Sequence, residues 1–108
     1  VPLTEETRNL IGRQEMARMK DSAILINTSR GGIVDESALA DALRNGTIGG
    51  AALDVFETEP PEARYIKQFE GLANIILTPH IAGLTAEANV RVSEMTVDNV
   101  LRVLRDSV

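Results

Sequence analysis

The sequence predicts an α/β protein built on a parallel sheet. Three short apolar runs, 23–27, 50–56 and 74–78, each stop at turn residues. Such runs suit strands buried on both faces. Segments of helical spacing lie beside them, giving the order helix, strand, helix, strand, strand, long helix. Strands separated by helices suit parallel pairing through right-handed crossovers.

Val1-Pro2-Leu3 reads as the tail of a strand, and the chain as a piece of a longer protein. Thr4 can cap a helix whose first turn holds Glu5 and Glu6, where the dipole favours anions. Leu10 and Ile11 give that helix its apolar contacts and Gly12 stops it. A second short helix covers 14–20, with Met16 and Met19 facing inward. After the first strand, Gly31 and Gly32 allow a sharp turn, because glycine reaches positive φ at little cost. Asp35 caps the next helix, with Ala38, Leu39, Ala42 and Leu43 on one face and Asn45-Gly46 at its end. The strand 50–56 runs into the rigid turn Glu57-Thr58-Glu59-Pro60-Pro61, and a short helix is expected over 64–68. The third strand, 74–78, is cut by Pro79. Thr85 then caps a long helix to about Arg105. Val90, Val97, Leu101, Leu104 and Val108 share one of its faces, and Val92, Met95 and Val103 populate another. A helix apolar on more than one side is expected between layers or domains.

Composition narrows the function. The 108 residues suit one domain, with 44% hydrophobic and 25% charged residues. A net charge of −5 without a basic block argues against nucleic acid or anionic membrane as the main partner. There is no cysteine, hence no disulfide or thiolate metal site, which fits a reducing cytoplasm. One histidine and scattered carboxylates make no preformed zinc site. No apolar run is long enough to span a bilayer.

The three strands share one design. The first ends in Asn27-Thr28-Ser29-Arg30, the second holds Asp54 and leads to Glu59, and the third leads to His80. In a parallel sheet these ends lie on one edge, where ligands bind. Arg30 can grip a carboxylate through two parallel hydrogen bonds. His80 can exchange a proton near neutral pH, and an ionised Glu59 beside it would orient the ring. Asp54 inside an apolar run needs hydrogen-bonding partners to offset its burial. Taken singly, Arg30 reads equally as a solvated turn residue and His80 as a structural residue, and Glu59 reads more readily as part of an acidic turn. Their common edge favours chemistry on a carboxylate-bearing carbonyl compound.

At these residues the chain resembles the D-isomer-specific 2-hydroxyacid dehydrogenase family. The likeness is carried by Val1-Pro2-Leu3-Thr4 with Glu6-Thr7, and by Met19-Lys20 with Ile26-Asn27-Thr28-Ser29-Arg30-Gly31-Gly32. It continues through Gly50-Ala51-Ala52-Leu53-Asp54-Val55-Phe56 with Glu59-Pro60, and Leu77-Thr78-Pro79-His80-Ile81-Ala82-Gly83. All the motifs are in register. The resemblance implies the carboxyl-terminal half of a Rossmann-type doubly wound sheet over 1–84, and a long interdomain helix over 85–108. It implies that Arg30 binds the 2-oxo acid carboxylate and that His80, paired with Glu59, is the acid/base. Thr28, Ser29, Arg30, Asp54 and His80 would lie at the nicotinamide end of the cofactor. Val1, Pro2 and Thr7 would lie along its adenosine side, and Ala82 and Gly83 near the carboxamide. The implied cofactor is NAD, with NADP also open, and the implied partners are a small 2-oxo or 2-hydroxy acid and a second copy of the chain. The family's Gly-x-Gly-x-x-Gly fingerprint is not in this sequence, and residues 61–70 depart from the commonest family pattern. Two rivals remain: a regulatory protein on the same scaffold, of the C-terminal-binding-protein corepressor type, and a structural module with no site.

Overall fold

The computed structural model describes residues 1–107. Its elements are α1 (Arg13–Ala17), β1 (Ile24–Asn27), α2 (Glu36–Arg44), β2 (Gly50–Leu53), α3 (Ala63–Ile66) with a 3-10 turn at Lys67–Phe69, β3 (Ile75–Leu77) and α4 (Ala86–Asp106). The strands form one parallel sheet in the order β1-β2-β3. With its flanking helices and long final helix it makes up part of a Rossmann-type doubly wound fold. Register aligns the last residues, Asn27 with Leu53 and Leu53 with Leu77, so all three carboxyl ends reach one edge.

The strands are buried on one face rather than both. Leu25, Ala51 and Ile75 lie side by side on the face that meets α2 and the core. Ile26, Ala52 and Ile76 form the matching row opposite, where Ile26 is 67% and Ile76 66% exposed. The core gathers Met16 of α1, Leu39 and Leu43 of α2, and Leu53 of β2, with Ile48 and Phe69 from the connections. Met16, Leu39 and Ile48 are fully buried; burying each such side chain contributes about 1.5–3 kcal/mol.

Local signals explain the helices that form. Asp35 accepts the Ala38 N–H at 3.0 Å, and the Thr85 side chain accepts the Ala88 N–H at 3.0 Å. After α2, Gly46 at φ +70° lets Thr47 N–H reach the Ala42 carbonyl at 2.8 Å, which ends the helix. The expected helix from Thr4 does not form. The Thr7 hydroxyl donates to the Pro2 carbonyl at 2.7 Å, and the Thr4 N–H donates to that hydroxyl at 2.7 Å. Side chains that hydrogen-bond the local backbone compete in this way with helix propagation. Ile11 then pairs in parallel with Val34 as an isolated bridge. The expected strand at Val1-Pro2-Leu3 is irregular chain. The second strand is shorter than its apolar run: it ends at Leu53, and Asp54, next along the chain, gives its carboxylate to the loop after β3. The expected burial of α4 is also absent: no described residue of it is buried. Val108, assigned to its apolar face, lies outside the described residues.

Candidate active site

Each strand delivers its residues through a different local device. At the end of β1 the buried Asn27 side chain folds the chain back on itself. Its Oδ1 accepts the Ser29 N–H at 3.1 Å and the Ser29 hydroxyl at 2.8 Å, and its Nδ2 donates to the Arg30 carbonyl at 3.1 Å. Arg30 is exposed, and its Nη1 donates to the Ser29 carbonyl at 2.7 Å. Gly32 turns the chain at φ +88°. Gly31 is required for another reason: a Cβ there would stand 1.7 Å from the Phe56 carbonyl oxygen. The two segments therefore touch backbone to backbone.

Asp54, 4% exposed, is satisfied entirely by the loop after β3. Its Oδ1 accepts the Thr78 hydroxyl at 2.7 Å and the Ile81 N–H at 2.8 Å, and its Oδ2 accepts the Ala82 N–H at 3.0 Å. These bonds straddle His80, whose φ of +56° lies in the left-handed region that side chains rarely adopt. The Thr78 hydroxyl, against the opposing effect of burial, holds the Asp54 carboxyl below its ordinary range; the Ala82 and Ile81 N–H groups and the His80 charge assist.

His80 and Glu59 meet directly, with Nδ1 2.6 Å from Oε2. The other Glu59 oxygen accepts the Phe56 N–H at 3.1 Å. The hydrogen bond to His80 leads the causes that lower the Glu59 carboxyl; burial opposes it, and the Phe56 N–H and the charges of His80 and Arg30 add to it. Glu59 is therefore the ionised acceptor, and Nδ1 carries the donated proton. Nε2 is the ring nitrogen left free for a substrate.

The sequence places Arg30, Asp54, Glu59 and His80 on one edge, and the structure brings three of them into one hydrogen-bonded unit. Arg30 stands apart, touching neither Glu59 nor His80 among the described residues. It lines a cavity of about 460 Å³ with Val1, Pro2, Leu3, Thr28 and Ser29. His80 lines two others, one of about 360 Å³ with Phe56, Glu59, Pro60, Pro61 and Pro79, the other of about 440 Å³ reaching Gly83 and α4. Thr7 instead spends its hydroxyl closing its own turn, and the Ala82 N–H is committed to Asp54. Sequence reasoning missed the shaping roles of Asn27 and Thr78. Both sit at the polar ends of apolar runs, which was the available signal.

This arrangement has known relatives. The family described as D-isomer specific 2-hydroxyacid dehydrogenase, NAD binding domain, matches residues 1–82. The chain belongs to this family. Among 2-hydroxyacid dehydrogenases it is 56% identical over 104 residues to an (S)-sulfolactate dehydrogenase of Chromohalobacter salexigens, covering 96% of this chain and 33% of the relative. It is 52% identical over 100 residues to a glycerate dehydrogenase of Methylorubrum extorquens, covering 93% and 32%. The structure superposes with a TM-score of 0.88 on a D-lactate dehydrogenase of a Sporolactobacillus species, at 36% identity, covering 100% of this chain and 36% of that one. A D-isomer specific 2-hydroxyacid dehydrogenase of Lactobacillus delbrueckii ssp. bulgaricus, solved with NAD, superposes at 0.84 with 32% identity, covering 97% and 35%. The chain thus spans about a third of the length of the curated relatives it matches.

Proposed function

We propose that the protein carrying this chain transfers hydride between a nicotinamide cofactor and a small 2-oxo acid/D-2-hydroxy acid pair. The observation that carries this reading is the His80–Glu59 pair, held at the carboxyl edge of the sheet that also presents Arg30. The family match over 1–82 supports reading 1–84 as the carboxyl-terminal half of the nucleotide-binding domain, and 85–108 as a helix leading towards the substrate domain.

The residues fit a nicotinamide cofactor. The cavity formed by Val1, Pro2, Leu3, Thr28, Ser29 and Arg30 mixes apolar walls with hydroxyl groups and one cation, and its volume of about 460 Å³ falls in the range of ligand pockets. These residues, with His80 and Gly83, would hold it, while Asp54 and Ala82 shape the loop that carries His80; a relative in Sinorhizobium meliloti described as NADPH-dependent, with NADP bound, keeps both NAD and NADP open. When bound, the cofactor supplies the hydride acceptor or donor.

The chain supplies position, charge and the proton. Arg30 would take the substrate carboxylate through its guanidinium fork, fixing the carbonyl carbon. In the reducing direction His80 would give its Nε2 proton to the carbonyl oxygen as negative charge develops there. Glu59, ionised and bonded to Nδ1, keeps the ring oriented throughout. In the oxidising direction neutral His80 takes the hydroxyl proton back.

The test is steady-state NADH and NADPH oxidation by the full-length protein with glyoxylate and hydroxypyruvate, and NAD reduction with (S)-sulfolactate, glycerate and D-lactate. Turnover with at least one pair, abolished by His80→Gln, is expected. A well-folded protein that binds NADH yet turns over none of them would favour the regulatory reading instead.

A further inference from the structure

Glu36 opens α2 yet is 4% exposed, an unusual place for a carboxylate. Its Oε1 accepts the Glu57 N–H at 2.6 Å. The same Phe56–Glu57 peptide is also in close contact with Gly31, where a Cβ would lie 2.0 Å from the Phe56 carbonyl carbon and 2.6 Å from the Glu57 nitrogen. That peptide is one bond from the Phe56 N–H, which anchors Glu59, and Glu59 in turn bonds His80. Gly31 is the neighbour of Arg30. One peptide plane therefore sits between the turn that presents the arginine and the loop that presents the acid/base pair.

We propose that Glu36 is a positioning residue of the site: by holding the Glu57 N–H it locks the 56–59 loop onto the Arg30 turn and so fixes Glu59 against His80. The inference rests on the assignment of Arg30, Glu59 and His80 as the reacting groups. Burial raises the Glu36 carboxyl, with the charges of Glu57 and Asp35 adding to it and the Glu57 N–H opposing. A carboxylate so placed is retained against a real cost, which its single strong bond to a loop backbone only partly offsets. What the site needs from it is an acceptor oxygen at the right reach, not a charge.

The experiment uses full-length protein and three variants. Glu36→Ala removes the acceptor. Glu36→Asp keeps the charge but falls one methylene short. Glu36→Gln keeps a carbonyl oxygen at the same reach. Crystal structures give the first readout, independent of turnover: in Glu36→Ala and Glu36→Asp the Glu59–Phe56 and Glu59–His80 contacts should open, while Glu36→Gln retains both. Kinetics give the second: kcat should fall on the order of 10- to 100-fold in the Ala and Asp variants, as misplacement of a catalytic group does, with cofactor KM unchanged and Gln close to the parent. In a Glu59→Ala background the Glu36→Ala effect on kcat should disappear, because the side chain it positions is gone. If Glu36→Ala does not fold, Glu36→Asp carries both readouts. Intact Glu59–His80 contacts in the variant structures would overturn the positioning role, whatever the turnover. So would an unchanged kcat, or one that falls equally in the Gln variant. Absence of 2-oxo acid turnover in the parent would count against the proposed function alone, since the structural readout still decides the role of Glu36.

Discussion

Arg30 spends one guanidinium nitrogen on its own neighbour, the Ser29 carbonyl, and keeps the rest of its fork for the cavity it lines. Arg30→Lys preserves the charge but loses the planar pair of donors. On the proposed function, kcat/KM of the full-length protein for the 2-oxo acid should fall by about 2 kcal/mol of transition-state stabilisation or more, the scale of one charge-assisted hydrogen bond; parental kinetics would remove Arg30 from substrate binding. Glu59→Gln keeps the shape of its partner and deletes the charge. On the proposed function, reduction should slow, because the ring loses the charged acceptor that orients it. Stability carries a second signature. The Glu59 carboxyl lies below its ordinary value, so its contribution is present at neutral pH and above the unfolded carboxyl range. It is lost as pH falls through the lowered value. Melting temperatures of the Gln variant should therefore decline less steeply than the parent's below about pH 4. Equal acid slopes would mean that the His80–Glu59 bond contributes nothing to folding.

At the scale of elements, legibility tracks how local the decisive interaction is. Asp35 and Thr85 announce α2 and α4 because a cap acts over three residues, and both make the bond expected of them. The Asp35→Ala substitution should lower stability by about 1 kcal/mol in denaturant titration. The false helix after Thr4 shows the converse: the same residue types that cap a helix also close a turn, and the Thr7 hydroxyl, bonded to Pro2, decides for the turn. Long-range choices were not visible. Asp54 stood out as a carboxylate in an apolar run, but its service to Thr78, Ile81 and Ala82 depends on the β2–β3 pairing. In sequence Glu36 is an acid in the first turn of α2; only the fold brings the loop after β2 against it. The two glycines read alike as turn residues, whereas only Gly32 needs its positive φ and Gly31 needs its missing side chain. Gly31→Ala meets backbone atoms that cannot step aside, and should cost about 3 kcal/mol or more. Gly32→Ala pays only for a left-handed residue, about 1–2 kcal/mol. Chemical denaturation of the two variants side by side checks the order.

The whole molecule is less compact than its length requires. Its radius of gyration is 17.8 Å and its extents are 60 × 29 × 26 Å, against about 13 Å for a compact domain of this size. α4 accounts for the shape: it projects with Val97 at 55% and Leu101 at 42% exposure, and the outer sheet row leaves Ile26 and Ile76 bare. Apolar surface of this extent and an uncovered sheet face favour association. The 108-residue polypeptide studied alone should therefore run larger than a monomer in light scattering, and Val97→Glu with Leu101→Glu should shift it towards monomer. It should also bind NADH weakly, although it carries Arg30, Glu59 and His80. The pyrophosphate of a dinucleotide is normally seated on a glycine-rich turn at a helix N-terminus, and this sequence has no Gly-x-Gly-x-x-Gly to make one. The cavity beside Arg30 offers the hydroxyls of Thr28 and Ser29 but no second cationic side chain among its lining residues. Calorimetric titration of the monomeric double variant with NADH should give a dissociation constant weaker than roughly 100 μM, under about 5.5 kcal/mol of binding free energy. Micromolar binding would mean that the strand-end residues hold the cofactor without a phosphate cradle.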